Sequence, residues 1–370
     1  MATWTPESAF MQAAIEEALK GAGRTHPNPS VGAVVVNGGQ IVGRGFHEGP
    51  GHPHAEIVAL GEAGSLAKGA DLYVTLEPCC TTGRTGPCTE ALLASGISRV
   101  AASVRDPIPG VNGAGISALE ASGILVSVGL MEEEGRGVDP AYHTFHGLGR
   151  PHVHLKWAQT LDGRVVLAHG GYITGPQARL KVHEERFLAD AILVSGATVA
   201  ADDPLLTVRL DGRPKPLVRI LLDNRSILTG GERVFGTCPE GGEIWVIRPS
   251  RSPLPGFAGR PGVSVIELAT DGGGRFPLRD LLSVLHGRGI MGLFVEAVGR
   301  LAASFFGDDL VDRVSVHIAP LLAGTGIGPA AIEGPVRMQG GARVLENPRW
   351  ERAGGDWVVT ADLEAPCSRD

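Results

Sequence analysis

The chain has 370 residues, 54 of them Gly and 26 Pro, and is 43% hydrophobic, 20% charged and only 5% aromatic. It is too apolar for a disordered chain, its glycines follow no collagen period, and at about 100–200 residues per domain it is long enough for two domains with their own cores. The net charge of −7 sits mostly in the first 150 residues, with 15 Asp/Glu against 9 Lys/Arg, which argues against a general electrostatic footprint for nucleic acid.

Thr5 and Pro6 read as the cap and first residue of a helix continued by Met11, Ile15, Ala18 and Leu19, ending at Gly21 and Gly23. A hairpin follows, 31–36 and 40–45, turned by Asn37-Gly38-Gly39. Residues 54–66 read as a helix and 72–76 as a strand. A short helix at 89–95, a strand at 99–103, a helix at 116–122 and a strand at 124–128 complete a mixed α/β sheet between helices. The polar, Gly- and Pro-containing stretch 132–150 is the expected domain boundary. A second α/β series starts at 152–157. Its strands are expected at 191–194, 217–222, 244–247, 263–268, 291–295 and 314–319, and its helices at 176–188, 278–286 and 301–306. Residues 248–262 read as a surface loop and the tail after Pro366 as frayed.

Three of the five cysteines, Cys79, Cys80 and Cys88, fall within ten residues; Cys238 and Cys367 stand apart. This does not look like a secreted disulfide framework and suggests a reducing compartment, hence a cytoplasmic protein, and a metal. No apolar run is long enough to cross a membrane, and no signal peptide is visible.

His54, Cys79 and Cys88 offer one imidazole and two thiolates at predicted element ends, a tetrahedral Zn²⁺ set with one position left for water. Bound Zn²⁺ brings the pKa of water toward ~7. Glu56, two residues after the His, is placed to take the water's proton and return it to a leaving amine. This is the layout of zinc nucleobase deaminases, except that eight residues rather than two separate the cysteines. His52 lacks a Glu two residues on and is set aside. Cys80 as fourth ligand of a closed structural site is the alternative, and leaves Glu56 without a role.

His26-Pro27-Asn28-Pro29 with the run 31–36, then Thr75-Leu76-Glu77-Pro78-Cys79 and Gly83-Arg84-Thr85, resemble the bifunctional riboflavin-biosynthesis deaminase/reductase family over about residues 8–330. The resemblance implies a cytidine-deaminase-like α/β/α sandwich at 1–145 and a dihydrofolate-reductase-like α/β domain at 146–370. It implies deamination of a phosphoribosylamino-pyrimidine by zinc-activated water, then NADPH reduction of the ribose to a ribityl chain. The partner is thus a small phosphorylated pyrimidine, with no nucleic acid and no membrane; a homo-oligomer is compatible with this reading.

Around the metal, the Asn28 amide suits a pyrimidine edge or an Asx turn. By resemblance His47 lines the substrate pocket. Arg84 suits a phosphate, or is a loop charge. Asp106 suits ribose hydroxyls, or caps the turn into Pro107. In the second half, Ala158, Thr198 and Asp202 fall by resemblance where the cofactor is contacted, with Tyr172 standing in for a family Trp. Lys156, Arg186, Leu206, Arg209 and Glu296 fall where the ribose phosphate sits. Arg186 and Arg209 suit a phosphate clamp, and Lys156 suits proton delivery to the opened ribose. No Gly-x-Gly-x-x-Gly fingerprint exists, so the dinucleotide is not expected to bind in the Rossmann manner. Thr81, Ile108 and Val298 depart from the family pattern. Val298, where the family has Gly, is expected to resist positive φ and crowd the cofactor. The alternative reading is therefore a deaminase with a non-reducing second domain, in riboflavin or flavin- or pteridine-like secondary metabolism.

Overall fold

The computed structural model describes residues 4–363 except 82–85, 168–169, 213, 239, 251–252, 325–331, 333–344 and 346–347. The chain divides into two compact units, residues 1–149 and 150–370.

The first unit runs α1 (Ser8–Leu19), β1 (Gly32–Asn37), β2 (Gln40–Phe46), α2 (Ala55–Ala63), β3 (Asp71–Leu76), α3 (Cys88–Ser95), β4 (Arg99–Val104), α4 (Ala114–Ala121), β5 (Leu125–Val128), α5 (Glu132–Val138) and α6 (Pro140–Leu148). Its five strands lie in the order β2-β1-β3-β4-β5, antiparallel across β2, β1 and β3 and parallel from β3 to β5. Period-two alternation splits the sheet's faces. Ala33, Val35, Leu72, Val74, Val100 and Ala102 pack against Ala55 and Ala59 of α2, Leu92 of α3 and Leu119 of α4. Val34, Val36, Tyr73 and Ala101 pack against Met11, Ala14 and Ala18 of α1 and Val138 of α5. This is a helix–sheet–helix sandwich. Gly45 of β2 lies so close to α2 that a Cβ there would collide with the Ala55 carbonyl and the Ala59 amide. The helix that begins just after His54 is thereby pressed onto the sheet.

Two expectations need correction. Helix α1 starts at Ser8 with Glu7 in the extended cap position, because the Glu7 N–H donates to the Tyr73 hydroxyl (3.1 Å); Thr5 and Pro6 only lead in. The stretch 132–150, which holds the division after Gly149, is helical where no element was expected. It forms α5 and α6, and Asp139-Pro140 is a cap and first-position proline, the Asp139 carboxylate accepting from Tyr142 N (3.1 Å).

The second unit runs β6 (His152–Thr160), α7 (Pro176–Leu188), β7 (Ala191–Ser195), α8 (Gly196–Asp202), β8 (Val218–Leu222), β9 (Ile244–Pro249), β10 (Val263–Leu268), α9 (Leu278–Gly287), β11 (Gly292–Glu296), α10 (Gly299–Gly307), β12 (Arg313–Ala319), β13 (Arg349–Ala353) and β14 (Asp356–Asp362). The strand order is β10-β9-β8-β7-β11-β6-β12-β14-β13; β10 through β12 are parallel and the β13–β14 hairpin is antiparallel at one edge. One face is apolar: Val153, Leu155, Trp157, Val295, Val314 and Val316 pack with Leu281 and Leu285 of α9 and Phe305 of α10. Sequence reading missed α8, a seven-residue helix capped by Ser195 through Thr198 N (3.1 Å), and the β13–β14 hairpin, whose exposed Arg349-Trp350-Glu351-Arg352 carries no buried periodicity. Parallel strands bring Ala158, Ser195 and Glu296 to the sheet's carboxyl edge, where ligands of open α/β sheets bind.

Candidate active sites in the two units

His54 is the extended residue before α2, Cys79 follows β3, and Cys88 opens α3. Their ligating atoms all lie within 4.8 Å of one another. His54 Nδ1 stands 3.1 Å from Cys88 Sγ and 3.5 Å from Cys79 Sγ, and the Cys88 N–H donates to Cys79 Sγ (3.3 Å). The Cys88 thiol's hydrogen bond, against the opposing effect of burial and with help from His54, holds the Cys79 thiol at about 4. An imidazole and two sulfurs in one cluster, one of them this acidic, fit a zinc ion. Cys80 is outside the cluster, and His52 is exposed and paired with Glu48 (3.2 Å).

Glu56 lies in the first turn of α2, 4% exposed, in hydrogen-bond contact with the Cys88 thiol. Burial raises its carboxyl above the ordinary range, as suits a group that both takes and gives a proton.

Asn28 and His47 are brought together. The Pro53 carbonyl accepts from His47 Nδ1–H (3.0 Å), which leaves Nε2 to accept from the Asn28 amide (3.0 Å). Burial keeps the His47 imidazole below its ordinary pKa, and its ring meets that of His54 edge-on at 5.5 Å. Asn28 is therefore fixed by His47, with its carbonyl oxygen left for other use. Asp106 is buried, accepts from Ile108 N (2.8 Å) and faces the Tyr142 hydroxyl (3.4 Å); burial raises its pKa. Arg84 lies outside the described residues.

Sequence reading missed three supports. Glu77, 3% exposed, accepts from four backbone amides: Gly113 (2.9 Å), Gly115 (3.0 Å), Ile116 (3.3 Å) and Asp106 (3.3 Å). The buried Asp139 holds the loop of Asn28, accepting from Ser30 N (3.0 Å) and meeting His26 Nε2 (3.1 Å). Tyr142 steadies Asp106. The Asp-Pro helix start is a legible signal for Asp139; Glu77 stands in the Thr75–Cys79 motif with no role read for it, and nothing local marks Tyr142.

In the second unit Lys156 of β6 registers beside Glu296 of β11. Glu296 is held by Arg186 of α7 (Nε 2.7 Å and Nη2 2.6 Å to Oε1), whose Nη1 donates to the Thr207 carbonyl (3.2 Å). Burial lowers the Lys156 pKa against the pull of Glu296 and Glu185. Arg186 and Arg209, the expected clamp, lie near enough that, after the larger effect of burial, the charge of Arg186 lowers the pKa of Arg209. Arg186 orients Glu296, while Arg209 is exposed and touches Thr207 Oγ1 (3.0 Å). Leu206 is buried at a positive φ of 56°. Tyr172 is 76% exposed beneath the Arg179 guanidinium (4.4 Å). Thr198 lies in the first turn of α8, Asp202 ends it, and Ala158 follows Lys156 by two residues. The positive φ expected to trouble Val298 is not asked of it. Residue 298 is extended (φ −134°, ψ 172°) and packs on the core, and the positive φ of 61° falls on Gly299, at the start of α10. That amino-terminal end, with no side-chain cap, and the carboxyl edge beside it fit an anionic cofactor.

Fold and sites together define a zinc nucleobase-deaminase unit followed by a reductase-like α/β unit. The family model of the cytidine and deoxycytidylate deaminase zinc-binding region matches residues 5–104, and that of the RibD C-terminal domain matches residues 151–359. Riboflavin biosynthesis protein RibD of Aquifex aeolicus is 43% identical over 320 residues, covering 86% of this chain and 88% of that one; that of Escherichia coli is 40% identical, covering 85% and 88%. Among solved structures, Acinetobacter baumannii RibD matches with a TM-score of 0.82 at 33% identity, over 96% of this chain and 98% of that one. The diaminohydroxyphosphoribosylaminopyrimidine deaminase/5-amino-6-(5-phosphoribosylamino)uracil reductase of Thermotoga maritima matches with 0.82 at 34%, over 97% and 98%. The chain belongs to the RibD family of riboflavin biosynthesis. It is a deaminase and reductase using Zn²⁺ and NADPH, and a non-reducing second domain is not favoured.

Proposed function

We propose that residues 1–145 deaminate a diaminohydroxy-phosphoribosylamino-pyrimidine and that residues 146–370 reduce the ribose of the product. The observation that carries the first half is the cluster of His54, Cys79 and Cys88 with the buried Glu56 beside it. Zinc, when held by these three, supplies a water activated for attack on the ring carbon that bears the amine. Glu56 takes the proton and delivers it to the departing nitrogen. Asn28, oriented by His47, aligns the pyrimidine edge, and Asp106 meets the ribose. Arg84 takes the phosphate.

In the second half NADPH supplies the reducing equivalents, contacted by Ala158, Tyr172, Thr198 and Asp202. Lys156 gives a proton to the ribose oxygen. Arg209 meets the substrate phosphate, Leu206 lines its site, and Arg186 keeps Glu296 beside Lys156. The free thiols of the described residues support work in a reducing cytoplasm.

The test is turnover of the family pyrimidine with and without NADPH, read by ammonia release and product mass. We expect exchange of an amine for oxygen in both cases, and added hydrogen only with NADPH. Deamination without any reduction refutes the second half; no ammonia refutes the first.

A further inference from the structure

One buried hydrogen bond between a carboxylate and an imidazole lies on the face of the second sheet that α7 covers and has no part in the scheme above. Parallel register sets Lys156 of β6 between Glu296 of β11 and Ser315 of β12, with His317 two residues on, beside Ala158. Residues in register share a face of the sheet. Helix α7 lies over these strands with two consecutive residues that leave the helix about 100° apart. Arg186 reaches Glu296 (2.6 Å), and Glu185 reaches His317, Oε2 to Nε2 at 3.1 Å. His317 is fully buried and Glu185 is 8% exposed. A carboxylate only accepts, so His317 Nε2 carries the proton of that bond, and His317 Nδ1 has no partner among the described residues.

A carboxylate this deep is a poor way to gain stability, since apolar residues of similar volume often do as well or better. Its place on the face that carries Lys156 calls for another reason. We propose that Glu185 and His317 form a positioning pair for the reductase site: anchored by His317, the Glu185 carboxylate opposes the Lys156 ammonium from the β12 side, as Glu296 does from the β11 side, and keeps it charged. This rests on the role given to Lys156 above.

The groups facing Lys156 bear this out. Glu185 and Arg186 come from α7, Glu296 from β11, Ser315 and His317 from β12, and His154 from β6 itself. Burial holds His154 neutral, its pKa lowered to about 3, and its Nε2 meets Ser315 Oγ (2.7 Å). Arg186 is matched by Glu296. Glu185 is thus the remaining anion for the lysine. Burial works against its ionisation, but hydrogen bonds from His317 and Ser315 outweigh this and hold it at about 2.

The test is competitive acetylation of Lys156 across pH in the full-length zinc-loaded chain, read by peptide mass spectrometry, with ammonia release as the internal control of folding. Glu185→Gln should lower the titration midpoint of Lys156 by about one unit and raise its reactivity near neutrality about tenfold. The alkaline limb of NADPH-dependent reduction should move with it, leaving ammonia release unchanged. His317→Gln, whose amide still donates to Glu185, should keep the wild-type midpoint. An unmoved midpoint in Glu185→Gln overturns the proposal. Where that variant does not fold, the double variant Glu185→Leu/His317→Phe decides by the same shift. Full reduction by Lys156→Ala would instead overturn the role given to Lys156, while the labelling shift would still report the electrostatic coupling.

Discussion

Asp139→Asn is a sharp test of how the substrate loop is held. One Asp139 oxygen meets both His26 Nε2 (3.1 Å) and Tyr142 N (3.1 Å), and the other accepts from Ser30 N (3.0 Å). An asparagine has one acceptor end, so either orientation turns an NH₂ toward a donor. A buried donor left unsatisfied costs about 1–3 kcal/mol, and losing the charge of the acceptor adds about 1 kcal/mol more. The sum, about 2–4 kcal/mol, corresponds to a melting transition of the first unit roughly 4–16 °C lower. Because Asn28 sits between His26 and Ser30, the KM for deamination should rise while zinc content stays whole. The pH dependence has a definite sign. Burial opposes ionisation of Asp139, but the His26 contact and the Ser30 and Tyr142 amides outweigh it and depress the folded pKa. The stabilisation is therefore complete above the unfolded value of about 3.9 and is lost as pH falls through the folded one, and Asp139→Asn should lack this acid-sensitive part. Calorimetry from pH 3 to 7, with steady-state ammonia release, is the assay. A variant within about 0.5 kcal/mol of wild type at pH 7 would refute the reasoning, because a buried three-donor acceptor cannot be replaced at so small a cost.

Glu56→Gln should keep zinc and lose deamination by about 10²–10⁴-fold, measured by metal analysis beside ammonia release, since the amide keeps the shape but moves no proton. Cys88→Ser should lose most of the metal, and full zinc occupancy in that variant would remove Cys88 from the ligand set. Val298→Gly should leave NADPH affinity within about threefold of wild type and lower stability by about 1 kcal/mol, because its side chain lies on the core and Gly299 already takes the positive φ; titration and a melt decide both.

Much of the first site was legible because chemistry and local signals coincide there. His54 and Glu56 sit at the start of a helix, and Cys79 and Cys88 at the ends of a strand and of a loop, so spacing brought the ligands near one another before any tertiary contact was known. The supports were hidden because they act across distance. Glu77 serves amides up to 39 positions away, and Asp139 reaches back 113 to His26. The helices within 132–150 are hidden for a related reason: glycines and charges mask them, and the Asp-Pro start signals a helix that buries only Ala141 and Tyr142. In the second unit the strands showed by their Val, Ile and Leu runs. Strand β13 did not, since an exposed edge strand needs no apolar face, and β14 went unread despite its buried Val358, Val359 and Ala361. Val298 was judged by family position, and one residue of offset moved the backbone demand onto Gly299.

Glu77 has a further consequence for how the enzyme acquires its metal. Four amides from 106–116 converge on one internal carboxylate, and Gly115 is packed so tightly on the Pro78 carbonyl that a Cβ there would collide with it. The ground beside Cys79 is therefore laid by an anion that the chain carries itself. The side of the seat formed by 77–79 and 106–116 is thus braced by the chain's own bonds, so this part should charge little ordering entropy against zinc affinity. Loading after folding should be limited by encounter and proton release from the thiols. The amides of Asp106, Gly113, Gly115 and Ile116 should exchange with deuterium as slowly in chelated protein as in the zinc form, whereas fast exchange on chelation would mean that the metal builds the loop.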